Sequence, residues 1–282
     1  MVATGIVLFT SCEKVDVPQD VNTLGKGSYL TLTKAGNLLL DIDNLAGSKV
    51  SIDASQYGAD QEKLTIYVAP GGPTQDRSLW KKLKEVPNDN NGNYALSVTG
   101  TEIKTAIAPT PIAAGNQYTM YNVITTKDGR TFDYANTATS FSGISAYNMA
   151  LAWTATVVCP FVGPIGGKYT VIQDDWVDWS PGAQVNVTDG AVPNTVDISQ
   201  VWPNPAAGGS VVEKLTVIVD PKTGVGTSTA GVVWGKYGST LASTGTGSNG
   251  FVFSCTGMFI MNMRVTYGGA DQGFLKLVLK KN

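Results

Sequence analysis

The sequence contains no histidine among its 282 residues. Histidine is the usual proton shuttle near neutral pH and the commonest nitrogen ligand for zinc. Its absence excludes Ser-His-Asp and Cys-His catalysis, together with metal sites that depend on histidine ligands. The remaining routes to catalysis use carboxylates, lysine, tyrosine or serine alone. The absence of histidine therefore lowers the expectation of catalysis without abolishing it, and we expect no cofactor and no metal.

Charge is also scarce, because charged residues make up 15% of the chain and the net charge is −2. Binding to the phosphates of nucleic acid needs a basic excess, whereas lysine and arginine are scattered here. We therefore expect no nucleic-acid partner. Hydrophobic residues, at 43%, are sufficient for a packed core, and the 32 glycines accompany many Thr, Ser, Asn and Val residues. This composition favours strands and turns.

Long helical patterns are missing, and the first half of the chain consists of short strand-like segments separated by turns. In "KLTIYVA", Leu64, Ile66 and Val68 alternate with other side chains, which is the period of a half-buried strand. Several segments of this kind follow one another between turn clusters. Strands at this density predict an immunoglobulin-like or fibronectin-III-like sandwich over residues 28–148.

The second half repeats this style with a different content. "MFIMNMRVTYGG" places Phe259, Met261 and Met263 on one face of a strand, with polar residues opposite. We predict a second antiparallel domain over residues 149–282, either a β-sandwich or a small barrel. The apolar run "MALAWTATVVCPFVG" is interrupted by Pro160 and is too short to span a bilayer, so we interpret it as a strand that enters an interdomain linker. The whole chain is thus predicted to be all-β.

The segment "GTGSNG" (245–250) matches the G-x-G-x-x-G pattern of dinucleotide-binding proteins. A dinucleotide site requires a helix to follow the glycines, so that phosphate meets the helix N-terminus. The residues that follow here, "FVFSC", are typical of a strand. We therefore predict a flexible hairpin loop instead of a cofactor site.

The segment "DDWVDWSPG" is the main candidate for a binding site. Asp174, Asp175 and Asp178 offer hard oxygen ligands for Ca²⁺ or a carboxylate pair of the kind that glycosidases use. Trp176 and Trp179 offer rings that stack on a sugar or anchor a protein partner. The alternative is that one tryptophan fills the core while the aspartates solvate a turn.

The segment "VLFTSCEKVD" lies near the beginning of the sequence, where a short apolar run ends in Thr10, Ser11 and Cys12. The run is about the length of the hydrophobic region of a signal peptide. It resembles the lipobox of bacterial lipoproteins, although Phe9 stands where leucine is usual. This resemblance implies a signal segment over residues 1–11, acylation of Cys12, and a polar tether over residues 12–27. It therefore places the protein on the outer membrane through an N-terminal lipid.

Two cysteines remain once Cys12 is assigned to the lipid. The extracytoplasmic setting that the lipobox implies favours a disulfide between Cys159 and Cys255. Such a bond would tie the linker strand to "FSCTG" and enclose most of the second domain. The alternative is a pair of buried free thiols, which pack as small hydrophobic side chains.

The runs "GKYTV…DDW", "VDPKTG" and "SCTG" resemble the C-terminal domain of Bacteroidetes surface lipoproteins that accompany SusC/SusD-type uptake systems, over roughly residues 155–282. The first half is similar, more loosely, to the Ig-like spacer domains of SusE/SusF-type proteins. The resemblance implies a non-enzymatic accessory protein that is anchored at the cell surface and either binds oligosaccharide or oligopeptide cargo or packs on the transporter. Two alternatives remain, namely a carboxylate-dependent glycoside hydrolase and a purely structural or adhesin-like subunit.

Overall fold

The computed structural model describes residues 26–88, 91–180, 182–202 and 214–282. Cys12, the signal segment and nearly all of the tether lie outside these residues. Strands account for 53% of the structure and helices for 7%, which confirms the predicted all-β fold. Among the described residues, no helix combines the length and the apolar character that crossing a membrane would require.

The first domain is a two-layered arrangement of short strands with two small helices. Its elements are β1 (Ser28–Ala35), β2 (Leu39–Asp41), β3 (Lys49–Gly58), β4 (Gln61–Pro70), β5 (Lys81–Pro87), β6 (Asn93–Thr99), α1 (Gly100–Ala106), β7 (Gln117–Thr126), β8 (Thr131–Phe132), α2 (Thr139–Ser142) and β9 (Ala152–Val158). One sheet has the order β1-β3-β6, and the other has the order β2-β9-β7-β4-β5 with β8 attached to β7. Only β2 and β9 pair in parallel among these strands of the described residues.

The two sheets bury their alternate side chains against each other. Val50 and Leu96 from the smaller sheet meet a cluster that contains Ile66, Met120 and Val157 from the larger one. Burial of such side chains is the main stabilising contribution to a sandwich of this size. Two facing sheets around one core are the architecture of the predicted immunoglobulin-like sandwich.

The second domain consists of antiparallel strands alone within its described ranges. These are β10 (Gly167–Asp174), β11 (Gln184–Asp189), β12 (Thr195–Ile198), β13 (Leu215–Val219), β14 (Val225–Ser228), β15 (Val233–Tyr237), β16 (Thr240–Thr244), β17 (Asn249–Phe253), β18 (Met258–Tyr267) and β19 (Ala270–Lys281). The last strand, β19, pairs with both β10 and β18. The strands β10, β11, β12, β13, β14, β17, β18 and β19 therefore form a closed barrel.

The sequence left a β-sandwich and a small barrel open for the second domain, and the closed circle of strands shows that it is a barrel. Phe259, Met261 and Met263 on β18 are buried inside the barrel together with Leu277 and Leu279 on β19. A barrel of about eight strands has an interior that side chains just fill or that holds one small ligand. The hairpin of β15 and β16 lies outside the closed circle and attaches to the end of β18.

The predicted hairpin loop at 245–250 is wrong. Strands β16 and β17 do not pair with each other, because both pair with β18, one after the other along its length. The ten residues of β18 are long enough for both partners. Residues 245–248 therefore form a short loop between two strands that lie end to end along β18. The loop is held to β18 by the backbone N–H of Arg264, which donates to Ser248 Oγ (2.9 Å).

The change from one domain to the other falls after Val158, ten residues later than the expected boundary at 148/149. The expected boundary separates β9 from the sandwich, but β9 pairs with β7 and β2 in the first sheet. Its side chains at Ala155 and Val157 belong to the core of the sandwich. The apolar run at 149–163 is thus the last strand of the first domain, followed by the linker.

The linker is bound closely to the adjacent end of the barrel. A disulfide joins Cys159 to Cys255, as the sequence predicted. The backbone N–H of Phe161 donates to the carbonyl of Pro221 (3.0 Å). Phe253 is completely buried in a small cluster that also contains Val158. Apolar packing, hydrogen bonds and a covalent bond therefore hold the two domains at one junction.

We expect the double substitution Cys159→Ala/Cys255→Ala to lower the free energy of unfolding. The disulfide spans a sequence separation of 96 residues. Its removal restores chain entropy to the unfolded state, which costs about 2–5 kcal/mol for loops of this order. Denaturant unfolding followed by circular dichroism measures the change. Cys12→Ala is the matched control and should leave the midpoint unchanged, and an unchanged midpoint in the double variant would contradict the prediction.

Candidate functional site

A cleft of about 300 Å³ lies at the end of the barrel remote from the junction. Strand β18 begins at Met258 beside the disulfide and ends at Tyr267 on the cleft, so roughly 30 Å of strand, at about 3.4 Å per residue, connects the two ends of the barrel. Four parts of the chain surround the cleft, namely the loop that follows β10, the segment that follows β12, the β15–β16 hairpin, and the ends of β18 and β19 at the turn that joins them. The lining residues with aromatic or polar side chains are Trp176, Asp178, Trp202, Trp234, Tyr267 and Gln272.

Tryptophan rings form most of the apolar wall. Trp234 on β15 is only 3% exposed, and its ring centroid lies 5.6 Å from that of Trp176, at an interplanar angle of 31°. The Trp202 ring lies against the backbone of β15 at Gly235, where a Cβ atom would overlap the ring. Glycine is therefore required for this close approach. The arrangement presents ring faces and edges to whatever occupies the cleft.

In this wall, the indole N–H groups of Trp176 and Trp234 have no hydrogen-bond partner in the described part of the chain. Buried donors of this kind are normally paired, because an unsatisfied donor costs about 1–3 kcal/mol. Trp80 and Trp153 in the sandwich share this condition, but they do not line the cleft.

Asp174 and Asp175 hold the loop instead of facing the cleft. Asp174 Oδ2 accepts hydrogen bonds from the backbone N–H groups of Asp178 (2.8 Å) and Trp179 (3.1 Å). Asp175 accepts from the side chain of Gln173 (2.7 Å) and from the backbone N–H of Lys276 on β19 (2.8 Å). The hydrogen bond from Gln173, followed by that from Lys276, holds the pKa of Asp175 below its usual value. Both carboxylates thus accept hydrogen bonds that shape the loop.

Asp178 is the aspartate of this segment that lines the cleft. Burial raises the pKa of its carboxyl above the usual value, and the negative charge of Asp174 adds to the effect. A hydrogen bond from Trp202 acts in the opposite direction. Asp178 therefore supplies an acceptor at the wall of the cleft and connects the loop to the ring of Trp202.

Trp179 fixes the loop to the neighbouring strand. Its indole Nε1 donates to the carbonyl of Val201 (3.0 Å), just beyond the end of β12. The predicted binding set therefore divides: Trp176 and Asp178 lie at the cleft, while Trp179, Asp174 and Asp175 position the loop that carries them. In the described residues, no group of three or more His, Cys, Asp or Glu side chains is placed to hold a metal ion.

Sequence reasoning missed Trp202, Trp234, Tyr267 and Gln272. Each lies in a different segment, and no spacing rule connects these segments with "DDWVDWSPG". Closure of the barrel brings them together, because β12, β14 and β18 all end on the same side as β10. The sequence did signal an aromatic site through its six tryptophans. It gave no indication of which of these rings would lie together.

The fold and the site together define an all-β protein, in which an immunoglobulin-like sandwich is joined to a closed barrel with an aromatic cleft. No protein-family model matches the chain, and no curated protein matches it. The function therefore has to be argued from the residues of the cleft and from the organisation of the chain.

We expect Gly235→Ala to displace the ring of Trp202 and to destabilise the barrel. A methyl group at this position overlaps the ring, and overpacking of this kind costs about 1–3 kcal/mol. Near-ultraviolet circular dichroism and thermal unfolding measure the two effects. Gly72→Ala is the matched control, since no atom lies within 4 Å of its Cβ position. An unchanged tryptophan signal in Gly235→Ala would show that the contact is not needed.

Proposed function

We propose that the chain is a lipid-anchored accessory protein of the outer-membrane surface that binds glycan or oligopeptide cargo for a SusC/SusD-like uptake complex. The observation that carries this proposal is the tryptophan-lined cleft at the end of the barrel remote from the junction. Aromatic faces bind the apolar faces of sugar rings and peptide side chains, while polar groups at the rim fix their orientation. The resemblance of the N-terminal segment to a lipobox supplies the anchor.

The organisation of the chain supports this role. Fifteen residues lie between Cys12 and Ser28, the first residue of β1, and a tether of this length spans at most about 55 Å when extended. The sandwich then acts as a spacer, and the barrel presents its cleft at the opposite end. Cargo in the cleft would lie well away from the lipid surface and within reach of a transporter.

The positions of the aspartates favour binding over glycoside hydrolysis. Hydrolysis of a glycosidic bond uses two carboxyl groups on either side of the bond. Of Asp174, Asp175 and Asp178, only Asp178 lines the cleft, and the other two accept hydrogen bonds from the backbone. We therefore propose that the protein is not an enzyme and that Asp178 acts as a hydrogen-bond acceptor for cargo.

The cleft is tested by calorimetric titration of the protein with soluble neutral oligosaccharides and with short peptides. We expect at least one of them to bind, and we expect Trp176→Ala and Trp202→Ala each to weaken its binding about tenfold or more, which corresponds to about 1.4 kcal/mol. Phe274→Ala is the matched control, because this ring is exposed on the barrel and lies outside the cleft. Binding that survives both tryptophan substitutions would overturn the assignment of the site. A chain that co-purifies with a transporter but retains no glycan or peptide would instead favour the structural subunit.

The anchor is tested separately by fractionation of cells that express the full chain. We expect Cys12→Ala to release the protein from the membrane fraction, because the substitution removes the residue that carries the acyl chains. Stable anchoring needs more than one such chain, and none remains in the variant. The double variant Cys159→Ala/Cys255→Ala is the control for cysteine loss in general and should stay in the membrane fraction. A Cys12→Ala protein that still sediments with outer membranes, in cells without the transporter, would rule out the lipid.

A further inference from the structure

The sandwich carries an exposed aromatic cluster at its own end remote from the junction. This base cluster consists of Tyr29, Tyr57, Phe141, Ile144 and Tyr147. Tyr57 is 62% exposed and Phe141 is 52% exposed. The ring of Tyr29 lies 4.9 Å from that of Tyr57 and 6.4 Å from that of Tyr147, which stacks on Phe141 at 5.2 Å. Four rings are therefore contiguous on one surface, whereas exposed apolar residues normally occur singly.

The base cluster surrounds the point at which the described chain begins. Gly27 and Ser28 line a groove of about 270 Å³ together with Tyr29, Tyr57 and Phe141. Met149, three residues before β9, is bridged to Thr31 of β1, so β9 starts near the base cluster. The strand then runs to Val158 at the junction. The chain thus enters the fold beside the base cluster, and the tryptophan cleft lies beyond the junction at the far end of the barrel.

The segment that supplies most of the base cluster carries no charge, and Lys26 is the charged residue next to the groove. Residues 134–151, which supply Phe141, Ile144 and Tyr147, contain no charged side chain. In the neighbouring turns, Lys127 pairs with Asp60 (3.5 Å) and Arg130 pairs with Asp128 (2.6 Å). An apolar surface of this kind has a low desolvation cost on contact with a lipid interface, because charged groups resist transfer from water much more strongly than rings do.

We propose that the base cluster is a membrane-contact surface, which rests on the lipid surface beside the anchored end of the chain. This inference rests on the anchor at Cys12 that forms part of the proposed function. Tyrosine rings are enriched at membrane interfaces, where their apolar body is buried and their hydroxyl stays hydrated. Attachment through a single lipidated residue does not by itself fix the orientation of the protein. Contact through the base cluster fixes this orientation, with the cleft directed away from the membrane.

The test uses the lipidated protein in vesicles of phosphatidylethanolamine and phosphatidylglycerol. Ala146→Cys, between Ile144 and Tyr147, is labelled with an environment-sensitive fluorophore. Once Cys12 is acylated and Cys159 is bonded to Cys255, the introduced cysteine is the free thiol of the chain. Phe274→Cys, at a position 57% exposed on the barrel, is the matched label. We expect the label at 146 to be at least threefold less accessible to iodide than the label at 274, and to be quenched by nitroxide-bearing lipids.

A triple variant shows whether the rings are responsible. Tyr57→Ser/Phe141→Ser/Tyr147→Ser should restore iodide access at position 146 to the level of position 274. Ile172→Ser/Ile218→Ser/Leu241→Ser is the matched control, because it removes three exposed apolar side chains from the barrel, and it should leave the protection at 146 unchanged.

The outcomes separate this inference from the anchor itself. If the protein floats with vesicles but position 146 is as accessible as position 274, the membrane contact is overturned and the anchor stands. If position 146 is protected from iodide without nitroxide quenching, another protein surface covers the base cluster and the inference is again overturned. If the lipidated preparation does not float with vesicles at all, the anchor fails and the inference fails with it.

Discussion

The pairing of β19 with both β10 and β18 closes the barrel, and the rest of the second domain depends on this closure. Without it the strands would form an open sheet with two exposed edges, which invite pairing with other chains. Closure also sets the geometry of the cleft. The loop after β10 is attached to β19 through Asp175, and the β15–β16 hairpin is attached to β18. The cleft therefore forms where these attachments meet.

The junction divides the molecule into parts with different roles. On one side, β9 completes the sandwich and leads away from the base cluster. On the other side, β10 and β18 lead away from the disulfide towards the cleft. The disulfide and the buried ring of Phe253 restrain movement between these parts. This restrained connection holds the cleft at a fixed distance from the base cluster.

Sequence reasoning reached the fold class but not the assembly of the site. Strict alternation of apolar and other side chains, as at Phe259, Met261 and Met263, predicts a strand, because successive side chains of a strand point to opposite faces. The same pattern does not say which strands are neighbours. For that reason the local pattern predicts a hairpin loop at 245–250 and places β9 in the second domain, whereas β16 and β17 both pair with β18 and β9 pairs within the first sandwich. "DDWVDWSPG", the candidate binding segment of the sequence, divides in the structure between residues that line the cleft and residues that hold the loop.

The amino-acid sequence by itself determined the all-β class and the absence of histidine chemistry, and it favoured a disulfide between the two cysteines beyond Cys12 without excluding free thiols. These properties follow from composition, from local periodicity and from the small number of available partners. Only the tertiary structure decided that the second domain closes into a barrel and that Trp176, Trp202 and Trp234 share one cleft. The physical reason is that contacts between distant segments depend on strand order and register, which local side-chain patterns do not encode.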